Sequence, residues 1–185
     1  MTEKESSLKG KRILAVDDEP DVLETIEDLL DESQIDTAHD YETASAKIKE
    51  RRYDLAILDI MGVKGLQLLE EAVEREIPAV MLTSHAMNPE TLMESIQKGA
   101  ISYLPKEKLV DLAVLLDEFL RACEIGEAPW KLLFEKLEDY FDARFGPDWK
   151  EKDHEFWSEF SQTFRIGKGI QERLKHDKRI LGKGI

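Results

Sequence analysis

The sequence predicts an α/β protein, a parallel sheet with helices on both faces, followed by a purely helical extension. Three observations predict it. Five short apolar, β-branched runs alternate with helical patterns through the first two-thirds of the chain, as a parallel sheet with crossover helices requires. Four of those runs end in polar residues able to carry chemistry. Beyond Cys123 no further strand-like run occurs, and EIGEAPW reads as a short connector into helices alone.

The strands are expected at residues 12–16, 35–38, 55–59, 79–82 and 102–104. Between the first two, Val22, Leu23, Ile26, Leu29 and Leu30 share one helix face, and Pro20 suits the first turn, where its missing N–H is not needed. Asp40 is placed to cap the second helix. In NPETLMESIQKG, Asn88 is a natural N-cap, Pro89 fits the first helical position and Gly99 fits the residue just past the end. Leu109, Leu112, Ala113, Leu116, Phe119 and Leu120 mark a fifth amphipathic helix. Past the connector, Trp130, Leu133, Phe134, Leu137, Tyr140 and Phe141 make one apolar stripe. After the Gly146-Pro147 break, Trp149, Phe156, Trp157, Phe160 and Phe164 make another. A pair of short helices has little interior of its own, so these rings are expected to pack on the preceding domain or on a second subunit. The chain thus divides into residues 1–123 and 124–185.

A chain of 185 residues has room for one good core and a small appendage. With 42% hydrophobic and 36% charged residues, it suits a soluble globular protein better than a disordered or membrane one. No apolar run approaches the roughly 20 residues of a membrane span, and the polar start MTEKESSLKGKR lacks the apolar middle of a secretory signal. A cytoplasmic location is expected. Cys123 is the only cysteine, which excludes an internal disulfide and a thiolate metal cluster; set among leucines, it reads as a small core filler. The net charge of -14 opposes non-specific binding to nucleic acid. Residues 166–185 are the exception, with 6 basic against 2 acidic residues, and they repeat the phrase RIGKGI as RILGKGI. With no Ser or Thr after the Lys and no strand before it, this is not a phosphate-binding loop. It reads as a flexible basic tail.

In an open parallel sheet, ligands bind beyond the carboxyl ends of the strands. Here ILAVDDE ends in Asp17 and Asp18, LAILDI in Asp59, VMLTSH in Thr83 and Ser84, and SYLPKE is followed by Lys106. Each alone has an ordinary structural use as a turn, a cap or a solvated charge. Together they are harder to explain, because three carboxylates in one cleft repel one another and raise each other's pKa unless a cation holds them. A hard divalent ion such as Mg²⁺ removes that conflict and takes phosphate oxygens as further ligands. Asp59 is then placed to attack phosphorus as a carboxylate nucleophile. Lys106 supplies a second cation for the phosphoryl oxygens, and the Thr83 hydroxyl can donate to one of them.

At this point the sequence resembles the receiver domains of bacterial two-component response regulators, over roughly residues 11–123. The residues that carry the resemblance are VDDE with Asp17 and Asp18, LAILD with Asp59, MLTS with Thr83, and KGAISYLPK with Gly99, Ala100, Tyr103 and Lys106. It implies a flavodoxin-like five-stranded sheet of order 2-1-3-4-5. It also implies Asp59 as phosphoacceptor, with Mg²⁺ held by Asp18, Asp59 and the backbone carbonyl of Met61, and Asp17 completing the acidic site. The implied donor is a phosphohistidine on a sensor histidine kinase or phosphotransfer protein. The implied switch moves Thr83 toward the phosphoryl group and turns Tyr103 inward, remodelling the face of the fourth helix, fifth strand and fifth helix. Such a protein is a phosphoacceptor in a phosphorelay, catalysing only its own phosphoryl transfer and dephosphorylation. Two departures stand out. The family usually follows the phosphoacceptor with a loop of the type DxxMPxxxG, whereas DIMGVKG reaches Gly65 two residues earlier and has no proline. The family also tends to have Lys-Pro after the fifth strand, whereas Lys106 is preceded by Pro105 and followed by Glu107.

His85, two residues beyond Thr83, reads either as a residue facing the phosphorylation site or as an ordinary opening to the next helix. His154 lacks the surroundings of a phosphorylated histidine and reads as incidental. Residues 124–185 show no basic recognition helix, and their acidic, aromatic first part fits a protein better than DNA, either a second copy in a homodimer or a downstream target. The rival expectations are a receiver-like scaffold that no longer switches by phosphorylation, suggested by the short loop after Asp59, and a DNA-binding regulator using the basic tail.

Overall fold

The computed structural model describes residues 4–84 and 87–163; His85, Phe164 and the basic tail lie outside the described residues. The five apolar runs become strands of one sheet, the central ones covered on both faces. The strands are β1 (Arg12–Val16), β2 (Gln34–Ala38), β3 (Leu55–Asp59), β4 (Ala79–Thr83) and β5 (Ser102–Pro105). All pair in parallel in the order β2-β1-β3-β4-β5. β3 and β4 are buried at every position, as central parallel strands are. The edge strand β2 is exposed or half-buried over Gln34–Thr37. β5 is also an edge strand, yet all four of its residues are buried, in part under the C-terminal helices described below.

The helices are α1 (Pro20–Leu29), α2 (Tyr41–Glu50), α3 (Gly65–Glu74), α4 (Pro89–Gln97), α5 (Leu112–Glu124), α6 (Pro129–Phe145) and α7 (His154–Thr163). The expected caps form. The Asp40 carboxylate accepts from the Thr43 N–H at 2.7 Å and the Asn88 side chain from the Thr91 N–H at 2.8 Å. Gly99 takes the left-handed conformation, φ 97°, that ends α4. Two expectations shift. Leu109 lies not in α5 but in a 3-10 turn over Lys106–Asp111, none of whose residues is buried, so the buried stripe of α5 begins only at Leu112. Trp149 sits in the turn before α7 rather than on that helix; its indole N–H donates to Asp142 at 2.8 Å and ties the turn back onto α6.

Past Cys123 the chain does not leave the domain. Trp130, Leu133, Phe134, Leu137, Phe141, Trp149, Trp157 and Phe160 join the same apolar cluster as the sheet. α6 packs on α5 and β5, its Trp130 indole donating to the Ala100 carbonyl at 2.9 Å and its Phe141 ring 6.2 Å from that of Tyr103. That cover joins the contact of α4 in burying β5. Edge-to-face contacts of Phe134 with Trp157 and Phe160 join α6 to α7. Among the described residues no helix is long and apolar enough to cross a membrane. Cys123 is buried, and burial pushes its thiol up to about 12, as befits an inert filler.

Trp130 has no exposed surface and holds the first turn of α6 to the loop before β5. Trp130→Ala is expected to cost about 3–5 kcal/mol, measured by urea unfolding followed by circular dichroism.

Candidate functional site

The parallel order places the carboxyl ends of β1, β3, β4 and β5 side by side. Asp17 and Asp18 directly follow β1, Asp59 ends β3, Thr83 ends β4 and Lys106 directly follows β5. The register pairs Asp59 with Leu82 and Thr83 with Pro105, so neighbouring strands deliver these residues at one level. Three of them, Asp18, Asp59 and Lys106, line a cleft of about 270 Å³ together with Glu19, Met61 and Ser84.

Lys106 is the hub. Its ammonium lies 2.8 Å from Asp17 Oδ2, 2.8 Å from Glu19 Oε1 and 3.4 Å from Asp59 Oδ1. Asp17 and Asp59 are almost wholly buried, where one cation among several carboxylates leaves an excess of negative charge. Burial, then the Asp17 charge, push the Asp59 carboxyl up to about 7 against the pull of Lys106. Burial also raises Asp17, opposed by its bond to Lys106. Burial pulls Lys106 down, but Asp17, Glu19 and Asp59 outweigh it and hold the ammonium above its usual range.

Glu19 was not among the residues expected at the site. It is the N-cap of α1 without a side-chain capping bond, and its carboxylate reaches Lys106, 87 positions away. Its N–H donates to Asp17 Oδ1 at 2.9 Å. The available signal was the third acid of VDDE. Asp17, Asp18 and Glu19 each present a carboxylate oxygen within 4.8 Å of the others, a hard-oxygen donor set that suits Mg²⁺. Asp59 and Met61 border the same cleft from the opposite loop.

The short loop after Asp59 closes by glycine. A side chain on Gly65 would put its first carbon 1.8 Å from the Asp59 carbonyl, and the Gly65 N–H instead donates to the Ile60 carbonyl at 3.1 Å. Gly62 has φ 82°, and a first carbon there would sit 2.4 Å from Asp18 Oδ2. The loop therefore lies directly against the acidic residues of β1, a role for Gly62 that the sequence did not announce.

The Thr83 hydroxyl is buried with no hydrogen-bond partner among the described residues, an arrangement that costs about 1–3 kcal/mol until an acceptor arrives. Tyr103 points inward and is fully buried, its hydroxyl 2.9 Å from that of Thr91 on α4; burial pushes it up to about 12. His154 is exposed at the start of α7.

A carboxyl raised in the folded state keeps its proton there to higher pH than in the unfolded chain, so the folded state loses stability as pH climbs from about 4 toward about 7. With metal chelated, the stability of the wild type relative to Asp59→Asn is expected to fall by on the order of 2 kcal/mol between about pH 5 and about pH 8. Urea unfolding measures it; a constant difference across that range contradicts the crowded carboxyl.

Comparison with known proteins bears on the fold and the family. The family model of the response regulator receiver domain matches residues 13–117. The chain is 35% identical over 114 residues to the nitrogen assimilation regulatory protein NtrX of Azorhizobium caulinodans, covering 57% of this chain and 25% of that protein. It is 36% identical over 105 residues to the phosphate regulon transcriptional regulatory protein PhoB of Klebsiella pneumoniae, covering 52% and 45%. The chain thus matches less than half the length of either relative. A solved receiver domain protein, CheY-like, from Methanospirillum hungatei JF-1 superposes with a TM-score of 0.54 at 28% identity, covering 60% of this chain and 93% of that one. The family match spans more than half of the chain, and the sheet order agrees with it: this protein belongs to the response regulator receiver-domain family, whose receiver domains serve phosphorelay signalling.

Proposed function

We propose that this protein accepts a phosphoryl group on Asp59 from a phosphohistidine of a sensor histidine kinase or phosphotransfer protein, and that residues 1–123 form the receiver and 124–185 an extension that it controls. The observation that carries the reading is the meeting of Asp59 and Lys106 at one cleft with Asp18, while on the neighbouring strand end the buried Thr83 hydroxyl has no hydrogen-bond partner among the described residues.

In the transfer, an Asp59 carboxylate oxygen forms a bond to phosphorus as the phosphorus–nitrogen bond of the donor breaks, and the electron pair of that bond stays on the imidazole nitrogen. Asp59 must be ionised to attack. Lys106, 3.4 Å away, favours the ionised form and afterwards donates to a phosphoryl oxygen. Thr83 gains an acceptor for its hydroxyl. Asp18, Asp59 and the Met61 carbonyl, with Asp17 and Glu19 behind them, would hold Mg²⁺, which when bound neutralises charge on the phosphoryl oxygens. A shift of Thr83 toward the new group would be felt through the Thr83–Pro105 pairing at β5, the strand that carries Tyr103. The consequence we assign is a change in protein–protein contact, with a second copy or a downstream protein, rather than direct action on DNA.

Incubation with a small-molecule phosphodonor and Mg²⁺ is expected to add one phosphoryl group by intact mass, and Asp59→Asn to abolish it. Lys106→Ala should lower the rate at least about tenfold. A folded wild type that stays unlabelled would instead support the scaffold reading suggested by the short loop to Gly65.

A further inference from the structure

Helix α6 belongs to the extension, yet it grips the segment that carries the site lysine. The Tyr140 hydroxyl donates to Glu107 Oε2 at 2.9 Å, and Lys108 Nζ lies 5.7 Å from the centre of the Tyr140 ring. Glu107 and Lys108 are the two residues directly after Lys106. On the other side of the lysine, Phe141 packs on Tyr103. The 3-10 turn over Lys106–Asp111 fully buries none of its residues, and only Leu109 packs against the core. Its first residue is held by the Lys106 ion pairs and the next two by Tyr140.

We propose that Tyr140 is a positioning residue for Lys106: by holding Glu107, docked α6 orders the turn that aims the lysine at a phosphoryl group on Asp59. This deepens the phosphoacceptor reading and rests on it. With the turn already ordered, an anion on Asp59 meets a lysine whose freedom has been reduced in advance, so it binds more tightly. Linkage requires the reciprocal effect: the occupied site tightens the docking of α6. The extension thereby becomes both a contributor to the site and its readout.

Beryllofluoride with Mg²⁺ serves as a phosphoryl analogue, its bound fluorides followed by ¹⁹F NMR. All three tryptophans lie in the extension, at Trp130, Trp149 and Trp157, so acrylamide quenching of tryptophan emission reports on it alone. Tyr140→Phe is expected to weaken beryllofluoride binding by about three- to tenfold. Glu107→Ala removes the same hydrogen bond from an exposed position; it should weaken binding equally, and the double variant should be no worse than either single one. Lys136→Ala cuts a different α6 tether, the 2.8 Å ion pair with Glu118 on α5, and should leave affinity within about twofold. Beryllofluoride should reduce quenching in the wild type and do so less in Tyr140→Phe. Unchanged affinity in Tyr140→Phe, additive losses in the double variant, or quenching that beryllofluoride leaves unchanged or increases overturns the positioning role. Absence of a bound fluoride signal in the folded wild type, or its persistence in Asp59→Asn, overturns the phosphoacceptor reading and this inference with it.

Discussion

Lys106 is one ammonium among three carboxylates, two of them almost wholly buried, and this imbalance is the constraint around which the rest of the site is organised. Carboxylates removed from water destabilise one another. The single lysine quiets Asp17 and Glu19 at 2.8 Å but reaches Asp59 only at 3.4 Å, leaving it the crowded member. Excess negative charge at a cleft mouth is a standing attraction for a divalent cation. A group that binds there and carries its own positive charge relieves the site instead of straining it. The chemistry proposed for Asp59 thus grows out of an electrostatic condition of the fold itself.

The sheet makes that condition possible, and the loop after β3 makes it tight. Parallel strands all present their carboxyl ends on one side, so residues 17, 59, 83 and 106 meet although they are far apart in the chain. Gly62 and Gly65 let the loop lie against Asp18 and the Asp59 backbone without a side chain between them. Ordinary packing and local capping serve the same end: buried β3 and β4 hold Asp59 and Thr83 rigid, and Asn88 starts α4 so that Thr91 can meet Tyr103.

The C-terminal helices change the character of one sheet edge. Here the aromatic rings of α6 and α7 extend the core past β5. An edge that is covered in this way is closed to strand addition, and the Tyr103 ring is out of contact with water. Any partner that uses this side of the molecule meets α6 and α7 first.

Much of this was legible in the sequence, because it is written in short-range pattern. Strand runs, the caps at Asp40 and Asn88 and the stop at Gly99 depend on residues within a few positions of one another, and the structure places them within a residue or two of expectation. Asp17, Asp18, Asp59, Thr83 and Lys106 were readable as strand-end residues for the same reason. Tertiary structure alone decided the rest. Glu19 took its place in the site only when Lys106 came beside it; Leu109 matched a helical stripe but fell in a half-buried turn; Gly62 showed its purpose only against Asp18. Tyr140 matched an apolar stripe, and its hydroxyl found Glu107 only because α6 folds back on β5. Sequence by itself determined which groups could do chemistry and which elements would carry them. Contacts between residues tens of positions apart determined which of those groups share charge, because Coulomb energy and burial depend on distance in space, and only the packed chain sets that distance.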